Sequence, residues 1–439
     1  MDLRLAYGKK GLDIQVPDRN LAGVMHMRAA DPLADPGKAI EESLRRPIQS
    51  RPLPEIARGR SSAVVVISDI TRPVPNPLLL PPILRTIEEA GVPHEKITIL
   101  IATGIHRPNL GDELTELVGA SIAENYTVVN HYSEDPETNA YVGEIGGGIP
   151  VYLDKTFLEA DLKILTGLVE LHLMAGFSGG RKAVLPGIVT LETMKHMHGY
   201  RMLQQDSTYN GRLKGNPFHE AGVAIARQVG VDFIANVTLN EKREITGVFS
   251  GDLEAAHEKA CELVAQCAMI PIEEEVDIVI TTGGGYPLDK TLYQSIKGFV
   301  AALEAVKPGG TVILAARNEE GGGSHEFVSL LRQLEDPMHF YRLVQEPNYI
   351  AKDQWMIQEL VNGLHHCELL YFSEGISPND MHEFLLTPIT SVEEGIEQAL
   401  RRHGPDAKIL VMPEGPYVMP KLRHLKKKMY SWQTDAAAV

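Results

Sequence analysis

The sequence is poor in cysteine, aromatic residues and long apolar runs, and each deficit excludes something. Three cysteines occur in 439 residues. They are Cys261, Cys267 and Cys367, with no CxxC spacing among them, so a disulfide framework is excluded and a reducing cytoplasm fits. Nowhere do the roughly 18 consecutive apolar residues of a membrane span occur. The opening residues, MDLRLAYGKKGLDIQVP, lack the apolar core of a secretory signal. Positive charge is also in deficit: 42 Lys and Arg stand against 58 Asp and Glu, a formal −16. Such a surface repels phosphate backbones and anionic lipid, which argues against nucleic-acid and membrane partners. Small anions remain possible where a few Arg and Lys reverse the local field. The basic run KLRHLKKK at 421–428 reads as a solvated helix face.

What is present is an ordinary globular balance, 44% hydrophobic and 23% charged, in a chain long enough for two or three domains. Uninterrupted apolar runs at 62–68 (SAVVVIS), 96–102 (KITILIA), 161–166 (DLKILT), 276–282 (VDIVITT), 310–316 (GTVILAA) and 368–372 (ELLYF) alternate with amphipathic helical stretches. Strands apolar on both faces and separated by helices point to parallel sheets covered on both sides. The expected architecture is two α/β domains with mostly parallel sheets, joined by a hinge at 269–275 (MIPIEEE), with the active site in the cleft between them. The expected boundaries are 1–268 and 273–415, followed by a tail at 416–439.

Ligands of open α/β sheets bind beyond the carboxyl ends of the strands, so the polar residues that follow each run deserve a reading. Asp69-Ile-Thr71-Arg72-Pro follows the first run and Thr103-Gly-Ile-His106 the second; Glu170-Leu-His172 comes shortly after the third. Each has a plainer reading: a capped turn for Asp69 and Thr71, a solvated or structural imidazole for His106. GGGYP at 283–287 is an incomplete dinucleotide fingerprint and reads equally well as a tight turn. The densest segment is ELHLMAGFSGGRKAVLPGI at 170–188. Its glycines permit close backbone approach, and unpaired N–H groups with Arg181 and Lys182 would suit a phosphate. The apolar flank should partly desolvate Lys182 and free its amine for covalent attachment. His196 and His198, two apart, diverge on a helix and do not chelate one metal together. His365-His366-Cys367 reads as structural. Gln294 and Lys297 are three apart after Tyr293, so one helix face can present an amide and an ammonium to a carboxylate.

Taken together, SDITRPVP, ATGIHRP, ELHLMAGFSGGRKAVLPGI, MKHMHG and GGYPLDKTLYQSIKG resemble the nickel-dependent lactate racemase family, over nearly the whole chain. The resemblance implies a nickel-pincer nucleotide, a pyridinium-3-thioamide-5-thiocarboxylic acid mononucleotide, attached to Lys182 and carrying Ni(II) bound by His198. It implies His106 and His172 as the acid/base pair, and Asp69, Thr71, Arg72, Tyr293, Gln294 and Lys297 as cofactor contacts. Arg72, Gln294 and Lys297 also fall to the substrate carboxylate. The implied reaction inverts C2 of a small 2-hydroxy acid by hydride transfer through a 2-keto acid, after separate maturation proteins have loaded the cofactor.

Leu173 and Met174 stand where members acting on lactate commonly carry aromatics, and Met197 stands where a small polar residue is expected. A different or larger aliphatic side chain would then fit the substrate pocket. Two other functions remain open to the sequence: a nicotinamide-dependent dehydrogenase built on the GGG loop, and a non-catalytic nickel or nucleotide carrier.

Overall fold

The computed structural model describes residues 1–422 apart from 147, 347 and 348. The basic run at 423–428 and the rest of the tail lie outside the described residues. The chain forms two compact units: Ala29–Met197 with Ser207–Ala265, and Met1–Arg28 with His198–Asp206 and Gln266–Val439.

The first unit is built on a six-stranded sheet in the spatial order Ile245–Gly251, Phe233–Leu239, Leu162–Leu168, Ala63–Ser68, Ile97–Ala102, Thr127–Asn130. All neighbours are parallel except the first pair. The β-branched run at 63–68 sits mid-sheet with Val64, Val65, Val66 and Ile67 fully buried. Burying each such side chain contributes about 1.5–3 kcal/mol. Helix Asn76–Glu89 covers one face with Leu79, Leu80, Ile83, Leu84 and Ile87, the i, i+3, i+4 stripe its sequence dictates. Later strands extend from Ala63–Ser68 on both sides, so the topological switch point falls between Ala63–Ser68 and Leu162–Leu168. Asp69 and Val169–His172 leave the carboxyl ends of those two strands, where the crevice of an open α/β sheet lies.

The second unit has its own six-stranded sheet: Thr387–Pro388, Glu368–Phe372, Val306–Ala315, Val276–Thr282, Ile409–Val411, Leu21–Val24. Every pairing in it is parallel. The α/β class and the mostly parallel sheets agree with the sequence reading. The extents of the units differ from it. Residues 1–28 belong with the C-terminal half, because Leu21–Val24 pairs with Ile409–Val411. The hairpin of Asp2–Leu5 with Leu12–Gln15 also places Leu5 and Ile14 in the same core as Ile278 and Val411. The expected hinge is a strand over Met269–Ile272, paired in parallel with Met419–Leu422. The start of the expected tail is thus part of the fold. No helix among the described residues is long and apolar enough to cross a membrane.

Candidate active site

Asp69 is 4% exposed and its carboxylate accepts two side-chain hydrogen bonds. Thr71 donates its hydroxyl to Oδ1 at 2.6 Å, and His106 Nδ1 lies 2.7 Å from Oδ2. Because a carboxylate only accepts, Nδ1 carries the proton and Nε2 of a neutral His106 is the acceptor. Burial raises the Asp69 pKa, but the His106 hydrogen bond and charge, the Thr71 hydroxyl and the Arg72 field outweigh it and hold the carboxyl below its ordinary range. Arg72 is half-buried in the same turn, with its guanidinium beside the Thr71 carbonyl and hydroxyl.

His106 is brought there by strand Ile97–Ala102 and a turn closed by its own N–H on the Thr103 carbonyl, 2.9 Å. Asn109 was not singled out from sequence, yet it is 1% exposed and ties neighbouring strand ends. Its Oδ1 accepts the Ile70 N–H at 3.2 Å and its own N–H donates to Asn130 Oδ1 at 2.8 Å. Beside it, Arg107 grips Glu113 with two 2.7 Å bonds and brings that carboxyl down to about 2.

His172 lies on a two-residue strand, Leu171–His172, paired antiparallel with Gly176–Phe177. Its Nδ1 accepts the N–H groups of Met174 at 3.3 Å and Ala175 at 3.2 Å. A ring whose Nδ1 accepts carries its proton on Nε2 when neutral, the opposite tautomer to His106.

Lys182 is half-buried in the 3-10 turn Gly180–Ala183, as the apolar flank leads one to expect. Gly179 precedes it at φ +73, where an added Cβ would meet Val169 Cγ2 at 2.7 Å and the Leu168 carbonyl at 3.1 Å. The backbone N–H groups of this loop are used internally: Gly180 donates to Asn236 Oδ1 at 2.8 Å and Lys182 to the Gly179 carbonyl at 3.1 Å. Arg181 corrects the phosphate expectation, since it is 1% exposed and directed at backbone carbonyls. After the turn, the Gly187 carbonyl accepts the Gly104 N–H at 2.9 Å, which joins the lysine loop to the His106 loop. A buried His131, 2.9 Å from both Asp154 Oδ2 and the Val189 carbonyl, pins the same segment. Sequence reasoning passed over that residue because nothing but its place after a strand marks it. Leu173 and Met174 are buried, at 8% and 3% exposure.

The second unit holds the other candidates. His198 is 8% exposed, its ring 5.0 Å from that of Trp355. Tyr293 accepts the Trp355 indole N–H at 2.7 Å and packs edge-on against Phe327. Both Tyr293 and Gln294 lie in the first turn of helix Leu292–Ala302, capped by the Thr291 hydroxyl on the Gln294 N–H. The Gln294 Oε1 is buried and has no hydrogen-bond partner among the described residues. Lys297 follows one turn later, half-buried. In the GGG loop, added Cβ atoms at Gly284 and Gly285 would meet Leu288, Tyr417 and Ala6 at 3.0–3.2 Å. The close approach these glycines permit is taken up by the chain itself. Asp289 behind them accepts the Gly8 and Arg317 N–H groups. His366 donates to the Val306 carbonyl at 3.1 Å and Cys367 is buried, in keeping with a structural reading.

Known proteins are similar in the same order. Residues 7–211 match the family model described as the lactate racemase N-terminal domain, and residues 272–419 the lactate racemase C-terminal domain. A lactate racemase of Lactiplantibacillus plantarum is 36% identical over 95% of this chain and 99% of its own length. One from Thermoanaerobacterium thermosaccharolyticum is 32% identical over the same shares. The solved lactate racemase apoprotein of the latter organism superposes with a TM-score of 0.91 at 31% identity, covering 96% of this chain and 100% of that one. A Thermotoga maritima protein shares the fold at TM-score 0.68 and 20% identity. With both domain models matched in chain order and two relatives aligned end to end, the chain belongs to the lactate racemase family, a family of isomerases.

Proposed function

We propose that this protein racemises lactate or a related small aliphatic 2-hydroxy acid in the cytoplasm. The observation that carries the reading is the pair of oppositely wired imidazoles, His106 on Asp69 and His172 on the backbone amides of 174 and 175, in a chain of this family. Inverting C2 requires a proton acceptor for the hydroxyl of one isomer and a proton donor for that of the other. His106 offers the first at Nε2, with ionised Asp69 holding its tautomer and balancing the charge it gains. His172 offers the second at Nε2–H, and the roles exchange in the reverse direction. Arg72 and Lys297 supply cationic groups for the substrate carboxylate.

The residues present fit a nickel-pincer nucleotide. Lys182 offers a half-buried amine in a tightly packed turn, His198 a single imidazole, and Gln294 a buried carbonyl oxygen still lacking a donor. One protein imidazole suits a metal whose other donors belong to an organic group. When bound, that group supplies a reversible hydride acceptor for C2, so that the substrate passes through a 2-keto acid. Lys182 would tether it, with Asp69, Thr71, Tyr293 and Gln294 as further contacts. Loading requires maturation proteins as partners.

The test uses cofactor-loaded, nickel-containing protein and one pure enantiomer of lactate, followed by chiral chromatography. Both enantiomers should approach equal amounts; no interconversion across lactate and longer 2-hydroxy acids would refute the reading. Net oxidation with bound nicotinamide would mark a dehydrogenase, and stoichiometric nickel without turnover a carrier. In Lys182→Ala the mass increment of the adduct should vanish from the intact protein; an unchanged increment would refute the attachment site.

A further inference from the structure

We propose that Arg181 is a positioning residue, whose buried guanidinium holds the loop between His172 and Lys182 by its carbonyls and thereby fixes the His172 ring. Its importance for catalysis rests on the functional reading above; its geometry does not. Arg181 is the largest of the fully buried side chains among the described residues. Among the described residues it makes no ion pair with a carboxylate, and its Nε has no partner. Burial draws its pKa down to about 10, so it remains a cation at neutral pH.

A buried cation without an anion needs compensation from dipoles. Here Nη2 donates to the Ala175 carbonyl at 2.6 Å and Nη1 to the Phe177 carbonyl at 2.9 Å, with the Gly179 carbonyl at 3.5 Å. The neighbours are neutral. Burial and then the Arg181 charge push His257 well below the ordinary histidine range and His219 down to about 4. His257 Nε2 lies between the Ser178 carbonyl, at 2.8 Å, and Arg181 Nη1, at 3.1 Å, so the ring packs the same stretch of loop against the guanidinium.

The gripped backbone is the one that orients His172. The amide of Ala175 donates to His172 Nδ1, while the carbonyl of Ala175 accepts from Arg181. In the other direction Lys182 is the next residue, its N–H on Gly179 and its carbonyl accepting from Gly187. One side chain therefore sets both the acid/base ring and the start of the lysine turn. Only a planar fork spans two carbonyls two residues apart; a lysine ammonium at the same place is a single point.

Arg181→Lys keeps the charge and removes the fork, and two readouts of the full chain are needed. In ¹⁵N-histidine-labelled protein, with His172→Gln used for assignment, the His172 Nδ1 resonance should leave the position of an acceptor-only nitrogen and move toward tautomer averaging. The His106 resonances should stay in place. In the loaded enzyme kcat should fall on the order of 100-fold with KM nearly unchanged, the pattern of misplaced chemistry rather than lost binding. An unmoved His172 resonance, or an unchanged kcat, overturns the proposal. If Arg181→Lys does not fold, Gly222→Ala presses on the same group without altering it, since its Cβ would meet Arg181 Cγ at 2.7 Å. It should displace the same resonance. Wild-type enzyme that racemises nothing would defeat the functional reading while leaving the resonance comparison standing.

Discussion

Asp69 accepts one hydrogen bond from its own turn and one from the neighbouring strand end, and both come from side chains. Asp69→Asn keeps the shape and removes the charge that holds and balances His106. Turnover should fall between about 100-fold and 10,000-fold, measured as racemisation rate with the adduct mass unchanged. The same carboxyl should leave a mark on stability. Its pKa is lowered in the folded protein, so its contribution is present above the ordinary carboxylate value and is lost as pH falls through the folded one. The wild-type thermal midpoint should therefore drop more steeply than that of Asp69→Asn below about pH 4. Equal slopes would show that the carboxylate contributes nothing by ionisation. Asp69 and His106 stood out in the sequence because Asp69 directly follows an apolar strand and His106 lies in the turn just after one. Arg181 was misread because composition alone does not distinguish a guanidinium facing solvent from one facing carbonyls. Asn109 carried no signal of its own, and His131 only its place after a strand.

At the level of elements, the parallel strands were legible because Val and Ile runs without polar interruption have only one economical environment. The short antiparallel pieces were not. Asp2–Leu5, Leu12–Gln15, Leu171–His172 and Gly176–Phe177 are two to four residues long, too short to express a period. Helix Asp112–Val118 ends at Gly119, whose φ is +88, and another begins at Ala120 on its far side. Likewise helix Ala255–Ala268 begins only after Gly251 has ended a strand at φ +135 with the Ile48 carbonyl against it. The turn bearing Lys182 depends on such backbone demands. Gly179→Ala adds strain at positive φ to a contact with Val169 and Leu168, and should cost about 1 kcal/mol or more in chemical denaturation. In strand Ile97–Ala102, Ile99→Ala removes a fully buried side chain and should cost about 2–5 kcal/mol. Denaturant midpoints equal to wild type in both variants would contradict this account.

Across the whole molecule, composition correctly bounded the number of domains, whereas the chain's allocation between them was hidden. Edge-strand pairing between residues 21–24 and 409–411 joins segments nearly the whole sequence apart, a relation no local pattern carries. Deleting residues 1–28 should expose the Ile409–Val411 edge and leave the Asp289 carboxylate without the Gly8 amide. The truncated protein should be cut by protease first within 266–422, at concentrations that leave the full chain intact. Equal resistance would mean that the N-terminal strands are dispensable to that unit.

The chain threads both units more than once. It passes from one unit to the other after Arg28, Met197, Asp206 and Ala265, and the short excursion between the middle two carries His198. Neither half is a cassette that one splice can transplant. A chimera of two relatives joined at a single junction would inherit an edge strand from one parent against a sheet from the other, and an imidazole facing a foreign Trp355. Grafting between members of this family therefore has to exchange the leading segment and the nine-residue insert together with the C-terminal half.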